Sequence, residues 1–374
     1  MSNVIAQVAN FVTPTSGGLR TALEHLADGY AAAGHRVLRI TPGPCDEVEE
    51  MPWGRWVRLK GVELPGTGYR VLPSPRRVLE ALDGADRLEV HDRTTLRALA
   101  PQTGLQSLVV SHERLDRWLA QWLPRRLPLE RVADARNAEL AAAHGSVVCT
   151  TPWAAAEFDR IGVAVRRVPL GVDTVAFRPG ARDLRLRRAH VDDGELLLVA
   201  ATRLSKEKRP ELLLGCVSAL VDRRVRVRLV VCGDGPLRSR LQRDAAHLPV
   251  TFVGHVRERA DLAALMASAD VMLAPGPVET FGLAALEACA SGTPVVANVH
   301  SALPGVLGSA GEASASSGRS FADAVQRLLE VPEGVRRARA RNRALELPWS
   351  SSVAGFLRVH GLADGARVRE DVPA

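Results

Sequence analysis

The stretch ETFGLAALE, residues 279–287, sets two glutamates eight positions apart, with Phe281 and Gly282 after the first and an Ala/Leu run before the second. A carboxylate among apolar neighbours is expensive to bury unless something pairs with it. The preceding run DVMLAPG (270–276) reads as a strand, and a helix is expected to start near Gly282. Free N–H groups and the positive dipole end at such a start hold phosphate or hydroxyl oxygens, and a glycine there admits a ligand close to the backbone. Glu279 precedes the helix and Glu287 lies within it, so the two carboxylates can grip different parts of one extended ligand. The competing reading is a helix-terminal charge plus an internal salt bridge.

Four other segments carry chemistry-bearing residues. In ATRLSKEKRPELLL (201–214), Arg203 and Lys208 stand on a loop before a helix. Cations there oppose the macrodipole unless an anion joins them, and a diphosphate would be such an anion. A solvated basic loop is the alternative. Lys60, Lys206 and Lys208 are the chain's lysines against a large excess of arginine, so the pair in SKEKRP stands out. VVCGDGPLRSRL (230–241) is half of a dinucleotide fingerprint with Arg238 in place of the third glycine, which favours a plain strand-to-helix turn. TSGGLRT (15–21) is a second glycine loop, in which Gly17 and Gly18 precede a helix. SLVVSHERLD (107–116) places His112 at a strand's C-terminal end, a structural position in most folds but a ligand-facing one in a two-domain cleft.

The 374 residues suit two domains rather than one core. The five cysteines show no Cys-x-x-Cys spacing, which argues against a zinc site or a disulfide framework and for a reducing, cytoplasmic setting. The first residues lack the basic start and long apolar core of a signal peptide, and no apolar run approaches a membrane span. A net charge of +7 attracts anions, whether nucleic acid, acidic headgroups or phosphorylated substrates. No DNA-reading motif is present, so nucleic acid is not expected as a partner. RLDRWLAQWLPRRLPLERV (114–132) sets Trp118, Leu119 and Trp122 among Arg114, Arg117, Arg125, Arg126 and Arg131. Such a segment suits an anionic bilayer surface, or packs on its own domain with its arginines in water.

The elements that must position these residues alternate. A strand at 4–11, a helix at 19–34 and a strand at 35–43 read as a βαβ unit. Residues 51–75 read as hairpin or loop outside the core. Strands follow at 87–92, 107–112 and 146–151, with helix between 113 and 144 broken at Pro124 and Pro128. RRVPLGVDTVAFRPG (166–180) reads as a linker. A second alternating set runs from the strand at 195–204 to the strand at 293–298. The expected architecture is α/β: two Rossmann-like domains facing a cleft, residues 1–172 plus 350–374 and residues 173–349.

With these pieces assembled, the chain resembles the retaining glycosyltransferases of family 4, which have the GT-B fold. The resemblance rests on ETFGLAALE followed by ACASGTPVVAN, on Arg203 and Lys208, on SGGLRT, on VPLGVDTVAFRPG and on SADVMLAPGPVETFG. LPWSSSV (347–353) matches the helix that such enzymes send back onto the first domain. Within the family, DRTTLRAL (92–99) and VVSHERLD look most like actinobacterial α-mannosyltransferases that glycosylate membrane lipids, although His91 stands where a small residue is expected.

The resemblance implies a hexose transfer with retention through an oxocarbenium-like transition state. It implies that Arg203 and Lys208 neutralise the leaving diphosphate and that Glu287 accepts hydrogen bonds from the ribose. Glu279 and the backbone of Phe281, Gly282 and Leu283 would hold the donor sugar. His112 would reach it from the first domain, and Gly17 and Gly18 would border the diphosphate or acceptor. Base selection is expected around Gly254, His255 and Val256. GDP-mannose is the favoured donor over a UDP-hexose, and the acceptor a hydroxyl on a glycolipid or phospholipid headgroup, which would put the enzyme on the inner face of the plasma membrane. A UDP-sugar transferase acting on a small soluble aglycone, and a nucleotide-sugar epimerase, are the alternatives. No Asp-x-Asp occurs, so metal-independent catalysis is expected, with neither a metal site nor a cofactor beyond the nucleotide sugar.

Overall fold

The computed structural model describes residues 2–12, 17–64, 69–96, 99–124 and 126–362. The expectations that touch residues 13–16 of the first glycine loop, part of DRTTLRAL, Arg125 and residues 363–374 lie outside them.

The first half carries β1 (Val4–Val8), α1 (Gly18–Ala32), β2 (Arg36–Gly43), β3 (Glu47–Met51), β4 (Gly54–Lys60), β5 (Val62–Glu63), β6 (Arg70–Val71), α2 (Pro75–Ala81), β7 (Arg87–Val90), β8 (Gln106–Ser111), α3 (Leu115–Trp122), α4 (Leu129–Ala143), β9 (Ser146–Cys149), α5 (Pro152–Asp159) and β10 (Arg166–Arg167). Its sheet has the order β10-β9-β8-β7-β1-β2-β4-β3. The pairing is parallel except between β3 and β4. Helices cover both faces, so the central strands are apolar on both sides: Ile5, Ala6, Val8, Leu88, Val90, Val109 and Val110 are all fully or almost fully buried.

The stretch expected outside the core is in part a core strand. β4 runs parallel to β2 from Gly54 to Lys60, with β3 paired antiparallel on its far side. Trp53, Val57, Leu59 and Leu72 are buried. Arginines disguise this strand, but Arg58 lies on the strand's own Trp56, 4.4 Å from the ring, and Arg39 of β2 lies 4.3 Å from the ring of Trp53 just before it.

The second half carries α6 (Leu184–His190), β11 (Leu196–Ala201), α7 (Glu211–Asp222), β12 (Val227–Cys232), α8 (Arg238–Asp244), β13 (Val250–Gly254), α9 (Arg259–Ser268), β14 (Val271–Ala274), α10 (Leu283–Ala290), β15 (Val295–Asn298), α11 (Leu303–Leu307), β16 (Gly311–Ser314), α12 (Gly318–Glu330), α13 (Glu333–Leu345) and α14 (Trp349–Val359). The sheet is wholly parallel in the order β13-β12-β11-β14-β15-β16. This is the doubly wound order, and the direction of winding reverses between β11 and β14, where a crevice for ligand opens beyond the strand ends. In the first sheet the same reversal falls between β1 and β7.

α14 returns to the first half, as the resemblance implied. Val172 bridges to Pro348 at the crossing. Trp349 then stacks on His25 of α1 at 4.6 Å, and Phe356 is fully buried.

GDG is a turn of the strand-to-helix kind. Gly233 has φ +131°, and a Cβ there would lie 2.0 Å from the Thr202 carbonyl oxygen. Its N–H donates to the Gly254 carbonyl at 2.7 Å, while Leu204 N–H donates to the Asp234 carbonyl at 3.0 Å. The glycine therefore ties its loop to the end of β13 and lets that loop lie against the loop after β11. Gly233→Ala should destabilise the fold by about 2–4 kcal/mol. Chemical denaturation of the two proteins checks this.

Candidate active site

Loops beyond the C-terminal ends of β11 and β14 deliver the second half's charged groups to one place. The loop after β11 carries Arg203 and Lys208, and the loop after β14 carries Glu279. Lys208 Nζ donates to Glu279 Oε1 at 2.6 Å across 71 positions of sequence. Both side chains are about three-quarters shielded. Burial works against the lysine's charge, but the Glu279 carboxylate outweighs it and raises the ammonium above its ordinary range. A partly exposed pair of this kind contributes about 1 kcal/mol. A ligand anion can therefore displace it without unfolding the site. The Arg203 guanidinium lies 4.5 Å from the ring of Tyr69 in the first half. Phe11, three residues past β1, meets Tyr69 edge-on at 5.8 Å and holds φ +60°, a strained value for a non-glycine residue.

Gly282 starts α10 in the left-handed region, at φ +74°. A Cβ there would come within 2.5 Å of Leu303 Cδ2. Phe281 and Leu283 are buried on either side of it. The glycine loop of the first half comes to this point: a Cβ on Gly18 would be 3.7 Å from Leu283 Cδ1, and Thr151 Oγ1 donates to the Thr280 carbonyl at 3.1 Å. Gly17, which precedes α1, stands beside that contact. The two halves are thus closed on one another at the start of α10.

Glu287 is 8% exposed, one helical face further in. Arg259, the first residue of α9, donates to its Oε1 at 3.4 Å and lies 4.9 Å from the Phe177 ring. Burial pushes the Glu287 carboxyl up to about 7; Arg259 opposes the rise and Asp173 adds to it. Gly254 turns at φ +79° against the Arg238 guanidinium, with His255 exposed and Val256 half-buried next to it.

His112 stands on the opposing wall, just past β8. Its Nε2 is 2.8 Å from His91 Nδ1, and His91 Nε2 is 2.6 Å from Glu89 Oε1. Burial, with the His91 ring beside it, pushes His112 down to about 3, so its imidazole is neutral at physiological pH.

The structure brings Lys208 and Glu279 together, and likewise Gly18 and Leu283. It pairs Glu287 with Arg259 and not with Lys208 or Glu279. Arg259, Tyr69, Glu89 and His91 were not among the expected site residues. Arg259 is hidden by the abundance of arginine, whereas Tyr69 is one of only two tyrosines, a rarity that sequence reading could have used.

The basic segment needs one correction. Arg114 is buried at 8% exposure, pairs with Asp116 at 2.6 Å and lies 5.0 Å from the Trp153 ring, so it is no part of an exposed face. Two carboxylate-bonded nitrogens satisfy it better than water on a helix flank would. Trp118, Trp122, Leu123, Leu127 and Val132 are exposed, and Lys206 lies 5.5 Å from the Trp122 ring. This face therefore borders the loop that carries Lys208.

The family "Glycosyltransferase Family 4" matches residues 16–176, and "Glycosyl transferases group 1" matches residues 183–345. The chain is 44% identical over 366 residues to the GDP-mannose-dependent alpha-(1-6)-phosphatidylinositol dimannoside mannosyltransferase of Mycobacterium tuberculosis, covering 96% of each chain. It is 34% identical over 205 residues to the MMP alpha-(1->4)-mannosyltransferase of Mycolicibacterium hassiacum, covering 52% of this chain and 47% of that one. Among solved structures, sucrose-phosphate synthase from Thermosynechococcus elongatus superposes with a TM-score of 0.76 at 22% identity, covering 96% and 98% of the two chains, a likeness of fold.

The Glu287 carboxyl provides a pH test. Its folded value is above its unfolded value, so its contribution to stability is present in acid and is lost as pH rises through about 7. A ligand whose hydroxyls bond the ionised form recovers that loss. The melting-temperature gain from a nucleoside diphosphate should grow from about pH 6 to about pH 8 in the wild type. In Glu287→Gln the trend should shrink to the part that the ligand's own terminal phosphate contributes by ionising at about pH 6.

Proposed function

Since the chain belongs to the retaining glycosyltransferases of family 4, with the GT-B fold, and is a hexosyltransferase, we propose that it transfers mannose from GDP-mannose to a hydroxyl of a mannosylated phosphatidylinositol. The observation that carries this reading is the 44% identity to the mycobacterial enzyme over 96% of both chains. The proposal includes the domain division at residues 1–172 plus 350–374 and 173–349, supported by the Val172–Pro348 crossing.

In this reading the GDP diphosphate enters between Arg203 and Lys208. Lys208 exchanges its bond with Glu279 for the phosphate oxygens, and negative charge growing on the leaving group strengthens that attraction. Glu279 is then released toward the sugar hydroxyls, beside the N–H groups of Phe281, Gly282 and Leu283. Glu287 accepts from the ribose hydroxyls in its ionised form, which Arg259 favours against the effect of burial. His112 faces the sugar from the first domain, and the acceptor enters past Gly17 and Gly18. The turn at Gly254, His255 and Val256 borders the base. The missing Asp-x-Asp supports turnover without a divalent metal.

The lipid acceptor would be met at the exposed face of Trp118, Trp122, Leu123, Leu127 and Val132, with Arg117, Arg126 and Arg131 on the same segment. No helix among the described residues is long and apolar enough to cross a membrane. Binding on a bilayer would therefore be peripheral, at the cytoplasmic leaflet, where headgroups are anionic.

Two measurements test the proposal. GDP should raise the melting temperature and UDP should not. Lys208→Ala should lower turnover of GDP-mannose by about 100-fold or more, in keeping with loss of one preorganised transition-state partner, while wild-type turnover persists in EDTA. A shift with UDP alone would move the donor to a UDP-hexose. Separately, Trp118→Ala/Trp122→Ala should float less well than the wild type with vesicles containing anionic phospholipid. Equal flotation would remove the membrane role from this face and favour a soluble acceptor.

A further inference from the structure

The bonds behind His112 have a direction. Glu89 lies in β7 and His91 directly follows that strand, two residues on and hence on the same face. β7 pairs in parallel with β8, with Val90 opposite Val109, so His112 lies two positions beyond the residue opposite His91, on the same face at the sheet's C-terminal edge. Their ring planes are 20° apart. Glu89 is fully buried. Its Oε2 accepts from Tyr30 OH at 2.7 Å and is 2.9 Å from His360 Nε2. Its Oε1 takes Gln7 Nε2 at 3.3 Å and His91 Nε2 at 2.6 Å. Gln7 in turn accepts from the buried Arg39 guanidinium at 3.2 Å.

An ionised carboxylate only accepts. His91 must therefore carry a proton on Nε2, and with that proton alone it presents a bare Nδ1 to its neighbour. His112 must then place its own proton on Nε2, which leaves its Nδ1 as a hydrogen-bond acceptor. We propose that Glu89 and His91 are positioning residues that fix His112 in the Nε2–H tautomer, so that its Nδ1 accepts a hydrogen bond from a donor-sugar hydroxyl. This rests on the placement of His112 in the sugar site given above. The carboxylate's charge, relayed through two rings, makes that nitrogen more electron-rich, which suits a sugar ring gaining positive charge. Tyr30 of α1 and His360 beyond α14 hold the far end of the relay, so the helix that crosses back from the second domain is one of its anchors.

Nitrogen-15 spectra of the histidine side chains read the tautomer of His112 in the wild type directly and need no variant. A protonated Nε2 with a bare Nδ1 is expected; a proton on Nδ1 overturns the proposal. In kinetics, His91→Phe and Glu89→Gln should each lower kcat by about tenfold or more, since a displaced tautomer disables a correctly placed ring. GDP affinity should stay within about twofold. His91→Gln, whose amide oxygen can still accept from His112, should retain more activity than His91→Phe. If Glu89→Gln does not fold, the His91 pair and the spectra decide. His112→Ala separates the two readings. Full turnover in that variant would remove His112 from the sugar site. Loss of turnover in it, with kcat in His91→Phe and Glu89→Gln within about twofold of the wild type, would overturn the relay alone.

Discussion

A carboxylate cut off from water must be surrounded by donors or give up its charge, and Glu89 meets that demand from four elements at once. Gln7 comes from β1, Tyr30 from α1, His91 from the end of β7 and His360 from beyond α14. Burial alone would raise this carboxyl; the His91 and His360 rings bonded to it hold it well below the usual range. Loss of any one donor leaves this buried charge less fully satisfied, which would cost about 1–3 kcal/mol. The position of α14 on α1, the spacing of β1 and β7 at the switch point of the first sheet and the seating of His91 therefore depend on the same atom pair. The crossing helix, through His360, brings one of this buried charge's four partners as well as covering α1.

The second half is organised by a different constraint, the closeness of backbone to backbone. Gly233 lets the loop after β12 lie on the loop after β11, and Gly282 lets α10 start against Leu303. These contacts set where Arg203, Lys208 and Glu279 emerge from the strand ends. The charges then sit at the reversal between β11 and β14, opposite the reversal of the first sheet between β1 and β7. Two switch points facing one another give an extended ligand two walls of strand ends.

Much of this was legible in the sequence, and the rest was hidden for physical reasons. The strand, loop and helix around ETFGLAALE follow from local pattern, because period and glycine act within one turn. The Lys208–Glu279 bond does not, since its partners meet only when β11 and β14 become neighbours in the sheet. Arg259 was invisible because arginine dominates the surface of this chain and one more carries no signal. β4 was misread because its arginines and Trp56 look like loop composition, although Arg58 covers Trp56 by cation–π contact. Glu89 was passed over inside RLEVHD, yet a glutamate between two apolar strand residues is itself a sign that donors must be found elsewhere. His91 was noticed as a departure, but its partner sits on the next strand, out of reach of any reading along the chain.

The asymmetry of α10 explains why the N-terminal end of that helix is available at all. Its C-terminal carbonyls are already satisfied: Arg341 donates to the carbonyl of Ala290 at 2.7 Å and to that of Phe177 at 2.9 Å. Arg337, one turn earlier on α13, donates to Ala267 and Ala269 at the end of α9. Cations at the C-terminal end complement the helix dipole and fix its axis from behind. At the N-terminal end no side chain caps the helix and no acidic residue stands in the first turn. Gly282 supplies backbone without bulk. A helix held rigid by guanidinium groups at one end and left uncapped at the other keeps N–H donors unspent at the mouth of the cleft. Glu279 stands beside them, bonded for the time being to a lysine that an incoming phosphate can claim. In the reading proposed here, the ligand completes a hydrogen-bond set that the protein deliberately leaves open, which is the condition for binding that strengthens as charge develops.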